Sequence, residues 1–345
     1  MKTDIRSMTP DELTAYMEGL GEKRYRAAQL YEWLHVKLAE DASQMTSLSA
    51  GLRERLAKET TAAAIRPVQV LKSGIDGTEK YLFALDDGNV VESVLMRYHH
   101  GNSVCISSQV GCRMGCAFCA STIGGRVRDL RAGEMLDQVY RIQKMTGERV
   151  THVVVMGSGE PLDNYAQLLR FIRILTDEKG LHISQRNITV STCGLVPQIY
   201  ELADEGLAIT LALSLHASNQ EKRKRLMPVA NRYALDEVMK ACAHYQQVTG
   251  RRMTFEYSLV KDVNDTDEDV RELTALLKGM GGHVNLIPVN PVKEKSFSSP
   301  TRRAVEDFKK KLEKNGINVT IRREMGRDIN GACGQLRRSY IRETG

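Results

Sequence analysis

The feature that most constrains the fold of this 345-residue chain is an alternation of strand and helix patterns that begins near residue 102. Apolar runs such as Thr151-His-Val-Val-Val-Met156 alternate with amphipathic stretches such as residues 235–249. Such alternation is typical of parallel βα units. Six units predict an α/β fold in the form of a partial (β/α)6 barrel, with ligand-binding residues at the carboxyl ends of the strands.

Two other patterns precede the alternation. Residues 1–64 read as three short helices, the first with a capping box at Thr9-Pro-Asp-Glu12, and predict a small helical accessory domain. Its basic residues fit either an RNA-binding surface or a solvated cap. Residues 65–101 change to a period of two with an Asp76-Gly77 turn, which predicts a short β-hairpin extension. Residues 102–345 remain for the barrel and a C-terminal segment that carries Cys333.

Bulk properties limit the class of protein. The chain has no run of eighteen apolar residues and no apolar core of a signal peptide, so we expect a cytoplasmic protein without a membrane partner. The net charge of +6 permits an anionic partner such as RNA without demanding one. Seven cysteines in such a chain indicate metal or redox chemistry rather than a disulfide framework.

Three of these cysteines are close together in the chain, at Cys112, Cys116 and Cys119. Three thiolates bind a metal or an iron–sulfur cluster well. A [4Fe-4S] cluster usually takes four cysteines, so three leave one iron open, as in a catalytic site. The alternative is a structural zinc site with a distant fourth ligand.

Polar residues follow successive predicted strands. They are Gly159, Glu160, Ser191, Ser214, Leu215, His216 and Asn290. Their shared position predicts a site for the amino, carboxylate and ribose groups of a small cofactor, although each residue alone fits a turn or the core. An open iron chelates the amino and carboxylate groups of S-adenosylmethionine (SAM), and the protein then supplies binding, orientation and exclusion of water.

The cysteine motif with Phe118 resembles the radical SAM signature, and further stretches resemble the RlmN/Cfr family of RNA adenine methyltransferases. The stretches are Val91-Glu-Ser-Val94, Cys105-Ile-Ser-Ser-Gln-Val-Gly-Cys112, Met156-Gly-Ser-Gly-Glu-Pro161, Ser214-Leu-His-Ala217, Arg225-Leu-Met-Pro228 and Ala332-Cys-Gly-Gln-Leu336. The helical region, with Arg24-Tyr-Arg-Ala-Ala-Gln-Leu-Tyr-Glu-Trp-Leu34, is similar to that family's accessory domain. The resemblance covers nearly the whole chain.

This resemblance implies roles for three further residues. Cys333 would accept a methyl group from a first SAM, and a second SAM on the cluster would yield the radical that activates that methyl group for addition to adenine. Glu92 would accept the proton from the adenine carbon. Cys105 would release the RNA by closing a transient disulfide with Cys333, which a reductant then reopens.

The resemblance also implies substrates and partners. Pro161 after Gly159-Glu160 is similar to the branch that methylates C2 of adenine, in 23S rRNA and at adenine 37 of tRNAs. The alternatives are the Cfr branch, which methylates C8 of adenine in 23S rRNA, and a non-enzymatic RNA-binding module with zinc. We expect a monomer that receives electrons from a small redox protein such as flavodoxin or ferredoxin. Basic runs fit either phosphate contacts or a solvated helix surface, at Lys222-Arg-Lys-Arg225, Arg322-Arg323, Arg327 and Arg337-Arg338.

Overall fold

A computed structural model describes residues 2–290 and 297–329 together with Leu336 and Tyr340. Its first part is the predicted helical region, with elements β1 (Thr3–Asp4), α1 (Pro10–Gly19), α2 (Tyr25–His35), α3 (Ala50–Glu59) and β2 (Thr60–Thr61). The capping box of α1 is present, since the Thr9 amide donates to Glu12 Oε2 at 2.8 Å. The apolar spacing of the second helix predicts a helix over residues 25–38. The helix ends at His35 instead, and Leu38 takes a left-handed φ of 55°.

The predicted β extension consists of antiparallel strands that continue the main sheet. The elements are β3 (Ile65–Lys72), β4 (Glu79–Leu85), β5 (Val90–Tyr98) and β6 (Gly101–Ile106). β5 pairs antiparallel with β6, and β6 in turn begins the parallel part of the sheet. The extension is therefore joined to the barrel by strand pairing between residues 94–98 of β5 and residues 101–105 of β6.

The remaining elements alternate as predicted, apart from a small hairpin around the cysteine loop and one short additional helix. They are β7 (Gln109–Gly111), β8 (Arg126–Asp129), α4 (Ala132–Thr146), β9 (Val150–Val155), α5 (Tyr165–Thr176), β10 (Ile188–Thr192), α6 (Val196–Asp204), β11 (Thr210–Ser214), α7 (Gln220–Leu226), α8 (Leu235–Thr249), β12 (Thr254–Leu259), α9 (Asp267–Leu277), β13 (His283–Pro288), α10 (Arg302–Lys314) and β14 (Asn318–Ile321).

The central sheet has ten strands in the order β14-β13-β12-β11-β10-β9-β6-β5-β4-β3. Within this sheet, β6 and β9–β14 are parallel. In the part of the chain that is described, β3 and β14 lie at opposite ends of the strand order. The predicted α/β architecture with an open, partial barrel is confirmed. The amphipathic faces of α4, α5, α6, α8, α9 and α10 pack into one core with the sheet; in α5 that face includes Leu168, Phe171 and Ile172. Helices α1–α3 form a separate core of their own.

A buried ion pair attaches the helical region to the barrel. Arg6 Nε lies 3.0 Å from Asp137 Oδ1 of α4, and both side chains are buried. The same guanidinium donates to the Leu34 and Ala39 carbonyl oxygens at 2.6 Å each. Because these contacts satisfy most of the donors of Arg6, the charge is compensated at the point where the helices meet the barrel.

No helix within the described ranges is both long and apolar enough to cross a lipid bilayer.

Candidate active site

A cavity of about 1030 Å³ lies at the carboxyl ends of the parallel strands. Its size is that of sites which enclose a cofactor. Most of the predicted site residues line it: Cys105, Cys112, Cys116, Cys119, Gly159, Glu160, Ser191, Ser214, His216 and Asn290. The rule that chemistry sits at the carboxyl ends of parallel strands therefore brings residues from six separate stretches of the chain to one place.

Two predicted residues do not line the cavity in the described structure, and a third falls outside the described residues. Leu215 is fully buried in the core, and its amide donates to the Glu256 carbonyl oxygen at 3.0 Å. Glu92 is buried in β5. Cys333 lies outside the described residues.

The cysteine loop is held by close backbone packing on both sides. Gly111 has a φ of 77°, and a Cβ there would lie 2.0 Å from the Gly125 carbonyl oxygen, so glycine is required. The Ala117 amide donates to the Leu226 carbonyl oxygen at 2.8 Å, which fastens the loop to the end of α7. Pro228 packs against Gly115 from the same side.

Burial raises the pKa of the Cys112 thiol to about 12, and burial likewise raises the pKa of Cys116. Such thiols keep their protons until a cation displaces them. Three thiols on one cavity wall fit an iron–sulfur cluster, because each iron takes a single thiolate. Among the described residues, no three His, Cys, Asp or Glu side chains converge as a ligand set for one metal ion.

Glu160 fixes the turn after β9 through its carboxylate. Oε2 accepts a hydrogen bond from the Cys193 amide at 2.8 Å, and Oε1 accepts one from the Leu162 amide at 3.1 Å. Burial nevertheless raises the pKa of Glu160. Gly159 has a φ of 110°, and a Cβ there would lie 2.6 Å from Gln109 Cβ. The glycine thus allows two strand ends to approach each other, and it also lines the cavity, where its contact with a ligand stays a prediction.

The ends of β10 and β11 contribute polar groups side by side. Ser191 Oγ and Ser214 Oγ lie 3.3 Å apart. Nearby, His216 has a left-handed φ of 54° and its Nδ1 accepts from the Ser258 amide at 2.9 Å. This bond assigns the proton to Nε2. Burial lowers the pKa of His216 to about 3, so the imidazole is neutral near pH 7. Its ring packs edge-on against the Phe118 ring, with 4.9 Å between the two ring centroids. This contact links the cysteine loop to the strand ends.

Cys105 and Glu92 lie on neighbouring strands. Cys105 of β6 pairs with Val94 of β5, is buried, and packs beside Met96 and Met156. Glu92 is two residues before Val94 and so projects from the same face of β5. Its Oε2 lies 3.1 Å from Nζ of Lys80 on β4. The strand that pairs with the cavity-lining Cys105 thus also carries one member of a buried ion pair.

Lys80 is buried beside Glu92 although the sequence motifs do not single it out, and Arg223 is buried although the sequence places it in an RNA-contacting basic run. A lysine within the apolar run of β4 was the available signal for the first. Arg223 was included in an RNA-contacting basic run, but it is 0% exposed, so that prediction is wrong for this residue. Three other basic residues from the predicted runs, Arg322, Arg323 and Arg327, line the cavity. Arg337 and Arg338 lie outside the described residues.

Two family models match the chain. The model described as "Radical SAM superfamily" matches residues 106–275, and the model described as "Ribosomal RNA large subunit methyltransferase N-terminal domain" matches residues 3–62. Radical SAM membership implies SAM and an iron–sulfur cluster as cofactors.

Full-length relatives agree with both models. The chain is 63% identical to a "Probable dual-specificity RNA methyltransferase RlmN" of Lachnospira eligens, with 99% of this chain and 97% of that protein covered. It is 60% identical to a protein of the same name from Lachnoclostridium phytofermentans, with 99% and 96% covered.

A solved structure also matches over nearly the whole chain. It is a radical SAM methyltransferase from Sphaerobacter thermophilus, 42% identical, with a TM-score of 0.93 and 96% of this chain and 98% of that one covered. These matches to enzymes argue against a non-enzymatic zinc module. The chain belongs to the RlmN family of radical SAM RNA methyltransferases.

Proposed function

We propose that this protein methylates C2 of adenine in 23S rRNA and at adenine 37 of tRNAs, with SAM as the methyl donor. The observation that carries the proposal is that one cavity gathers the three-cysteine loop, the Gly159-Glu160-Pro161 turn and Cys105. The relatives named dual-specificity RNA methyltransferases support the two classes of RNA substrate. Pro161 in the turn is the residue that favours C2 over the C8 chemistry of the Cfr branch.

The cofactor we propose is one [4Fe-4S] cluster held by Cys112, Cys116 and Cys119, with SAM on the open iron and two SAM molecules consumed per turnover. When bound, the cluster and SAM supply one-electron cleavage of a sulfur–carbon bond. The chain positions the SAM. Ser191, Ser214 and the Nε2–H of His216 are the polar groups at the strand ends, and Gly159 and Glu160 form the adjoining wall.

Three side chains handle the methyl group and the proton. Cys333 carries the carbon to the adenine as a thioether. Glu92 accepts the proton that leaves C2 of adenine, with Lys80 as the counter-charge for the carboxylate at 3.1 Å. The Cys105 thiolate then attacks the Cys333 sulfur. A sulfur–sulfur bond forms and the carbon–sulfur bond to RNA breaks; the released carbon keeps the electron pair of that bond and takes up one proton to become the methyl group. An external two-electron reductant then restores both thiols.

RNA reaches this cavity past a basic wall. Arg322, Arg323 and Arg327 line the cavity on the side of β14 and suit phosphate contacts. The target adenine must leave its stack to enter. We further propose a cytoplasmic monomer with flavodoxin or ferredoxin as electron donor. The division into a helical RNA-binding domain at 1–64, a β extension at 65–101 and the barrel at 102–345 belongs to the same proposal.

The test is mass spectrometry of nucleosides from RNA treated with the anaerobically reconstituted protein, SAM and a reductant. Substrates are rRNA and tRNA from cells that lack this modification. We expect 2-methyladenosine from both substrates. Finding only 8-methyladenosine would favour the C8 reaction, and finding neither product with a loaded cluster would contradict the proposal.

A further inference from the structure

Arg223 is a buried cation that no carboxylate balances among the described residues. Its side chain is 0% exposed. Nη2 donates to the Cys193 carbonyl oxygen at 2.7 Å and lies 3.4 Å from the Ser214 carbonyl oxygen. Nε and Nη1 are buried and, over the residues described, have no hydrogen-bond partner. Burial of an uncompensated charge is unfavourable, so this group points to an anion that the site acquires later.

The position of Arg223 identifies where that anion lies. α7 packs under the cysteine loop, since the Leu226 carbonyl oxygen accepts from the Ala117 amide at 2.8 Å. Burial lowers the pKa of Arg223, and the thiols of Cys193 and Cys116 act in the opposite direction. Cys116 is one of the three cluster-binding cysteines. The guanidinium therefore lies within electrostatic reach of a thiolate that exists only when the cluster is bound.

The carboxylate of SAM is a poorer candidate for this anion. Arg223 is absent from the described lining of the cavity, whereas Cys116 and Cys193 both belong to it. A ligand in the cavity is thus separated from the guanidinium by the cysteine wall. Negative charge on the wall itself acts on Arg223 directly, through a medium of low dielectric constant.

We propose that Arg223 is the internal counter-charge of the iron–sulfur cluster, a positioning residue that acts through the Cys116 thiolate. The inference rests on the proposed function, because it requires a cluster on this loop. With three thiolates, an oxidised [4Fe-4S] core carries one net negative charge, and it carries two after uptake of one electron from an external reductant. A fixed cation favours the more negative state. Arg223 therefore raises the reduction potential of the cluster.

Arginine suits this role better than lysine in one respect. The guanidinium stays protonated in a buried site, whereas a buried ammonium loses its proton readily. The charge is therefore in place before the cluster is assembled. We expect assembly of the cluster to relieve the unfavourable burial of Arg223 and the cluster in turn to be retained more firmly.

The experiment compares Arg223→Met with Arg225→Met in the reconstituted full chain. Arg225 lies on the same helix but is exposed, so water and salt screen its charge. The measurement is an anaerobic reductive titration followed by electron paramagnetic resonance and visible absorption. At a fixed solution potential we expect Arg223→Met to lower the ratio of reduced to oxidised cluster at least tenfold. This change corresponds to a decrease of about 59 mV in the reduction potential of the cluster for a one-electron couple. Arg225→Met should change the ratio less than twofold, and Arg223→Lys should fall between the parent protein and Arg223→Met, because a buried ammonium keeps its proton less firmly than a guanidinium.

A second readout is the thermal midpoint of the apo and loaded proteins. Arg223→Met should gain less from cluster loading than the parent does, because the apo variant has no uncompensated cation to relieve. If the Met variant does not fold, Arg223→Gln replaces it, since its amide can still donate to the Cys193 carbonyl oxygen. Equal potentials and equal gains for Arg223→Met and Arg225→Met would overturn the inference alone. A parent chain that takes up no iron–sulfur cluster would overturn the proposed function instead.

Discussion

Lys80 Nζ lies 3.1 Å from Glu92 Oε2, and the two side chains are 0% and 4% exposed. The two residues lie on adjacent strands, and β5, which carries Glu92, pairs with β6 at the cavity-lining Cys105. A carboxylate held so far from water keeps its charge only with a cationic partner. The proposed proton acceptor therefore depends on a lysine two strands away from the parallel barrel.

Replacing Lys80 by Met should impair both stability and turnover. Removing one partner of a buried ion pair costs about 3–5 kcal/mol. Urea unfolding of the apo protein measures this. Lys240→Met is the control: its Nζ is 3.6 Å from Asp236, both groups are largely exposed, and the expected cost is below about 0.5 kcal/mol. Similar losses for the two variants would show that the buried pair has no special role.

Gly159→Ala should disrupt the turn that carries Glu160. Gly124→Ala is matched to it, because both glycines have positive φ but a Cβ on Gly124 meets nothing within 4 Å. Both variants pay about 1–3 kcal/mol of backbone strain. Only Gly159→Ala adds a steric clash with Gln109, which should lower the free energy of unfolding by about 1–3 kcal/mol more. Unfolding free energies and SAM binding check this. If Gly124→Ala is as damaging as Gly159→Ala, close packing of the strand ends is not the reason for the glycine.

His216 should make stability depend on pH. Its pKa is lowered by burial from an ordinary value near 6.5 to about 3 in the folded state, so between these values the unfolded chain binds more protons. The contribution of His216 is therefore complete above pH 6.5 and is lost as the pH falls, by about 2 kcal/mol between pH 7 and pH 5. His216→Asn removes this term, and asparagine tolerates the left-handed backbone.

The measurement for His216 is the free energy of unfolding of both apo proteins at pH 7, 6 and 5. We expect the parent to lose more stability than His216→Asn over this range. Parallel pH profiles would mean that His216 titrates normally in the folded protein.

Arg323 should contribute to RNA binding through phosphate. It is exposed and lines the cavity, whereas Arg186 is exposed just before β10, at the opposite end of the parallel strands. Arg323→Gln should weaken binding and reduce the slope of log K against log salt by about 1, because one fewer counterion is released. Arg186→Gln should leave the slope unchanged. Fluorescence anisotropy at several salt concentrations measures both, and an unchanged slope for Arg323→Gln would place the RNA elsewhere.

Sequence reasoning located the fold and most of the cavity because both depend on local patterns. Strand and helix periodicity fixed the order of the βα units, and topology then placed residues as distant as Cys112 and Asn290 at the same end of the sheet. The spacing of the three cysteines by itself indicated a metal or iron–sulfur site. Neither the strand and helix periodicity nor the cysteine spacing depends on which side chains point into the core.

Lys80 and Arg223 show where such reasoning fails. Both look like surface residues in sequence. Lys80 points inward because of the register of β4 against β5, and Arg223 points inward because α7 packs under the cysteine loop. The packing contact that requires Gly159 is tertiary as well, since its neighbour Gln109 is fifty residues away in the chain. Inward-facing charges and close backbone contacts are tertiary properties, which local patterns do not encode.

The most direct test of the account is whether Cys105 releases the RNA. Cys105 lines the cavity, whereas Cys242, fully buried on α8 and outside the described cavity lining, serves as the control. With SAM, reductant and labelled RNA, Cys105→Ala should accumulate a covalent protein–RNA species on a denaturing gel, because the bond from Cys333 to the adenine carbon is no longer resolved. The parent and Cys242→Ala should show none at steady state. Normal turnover by Cys105→Ala without any crosslinked species would contradict the account.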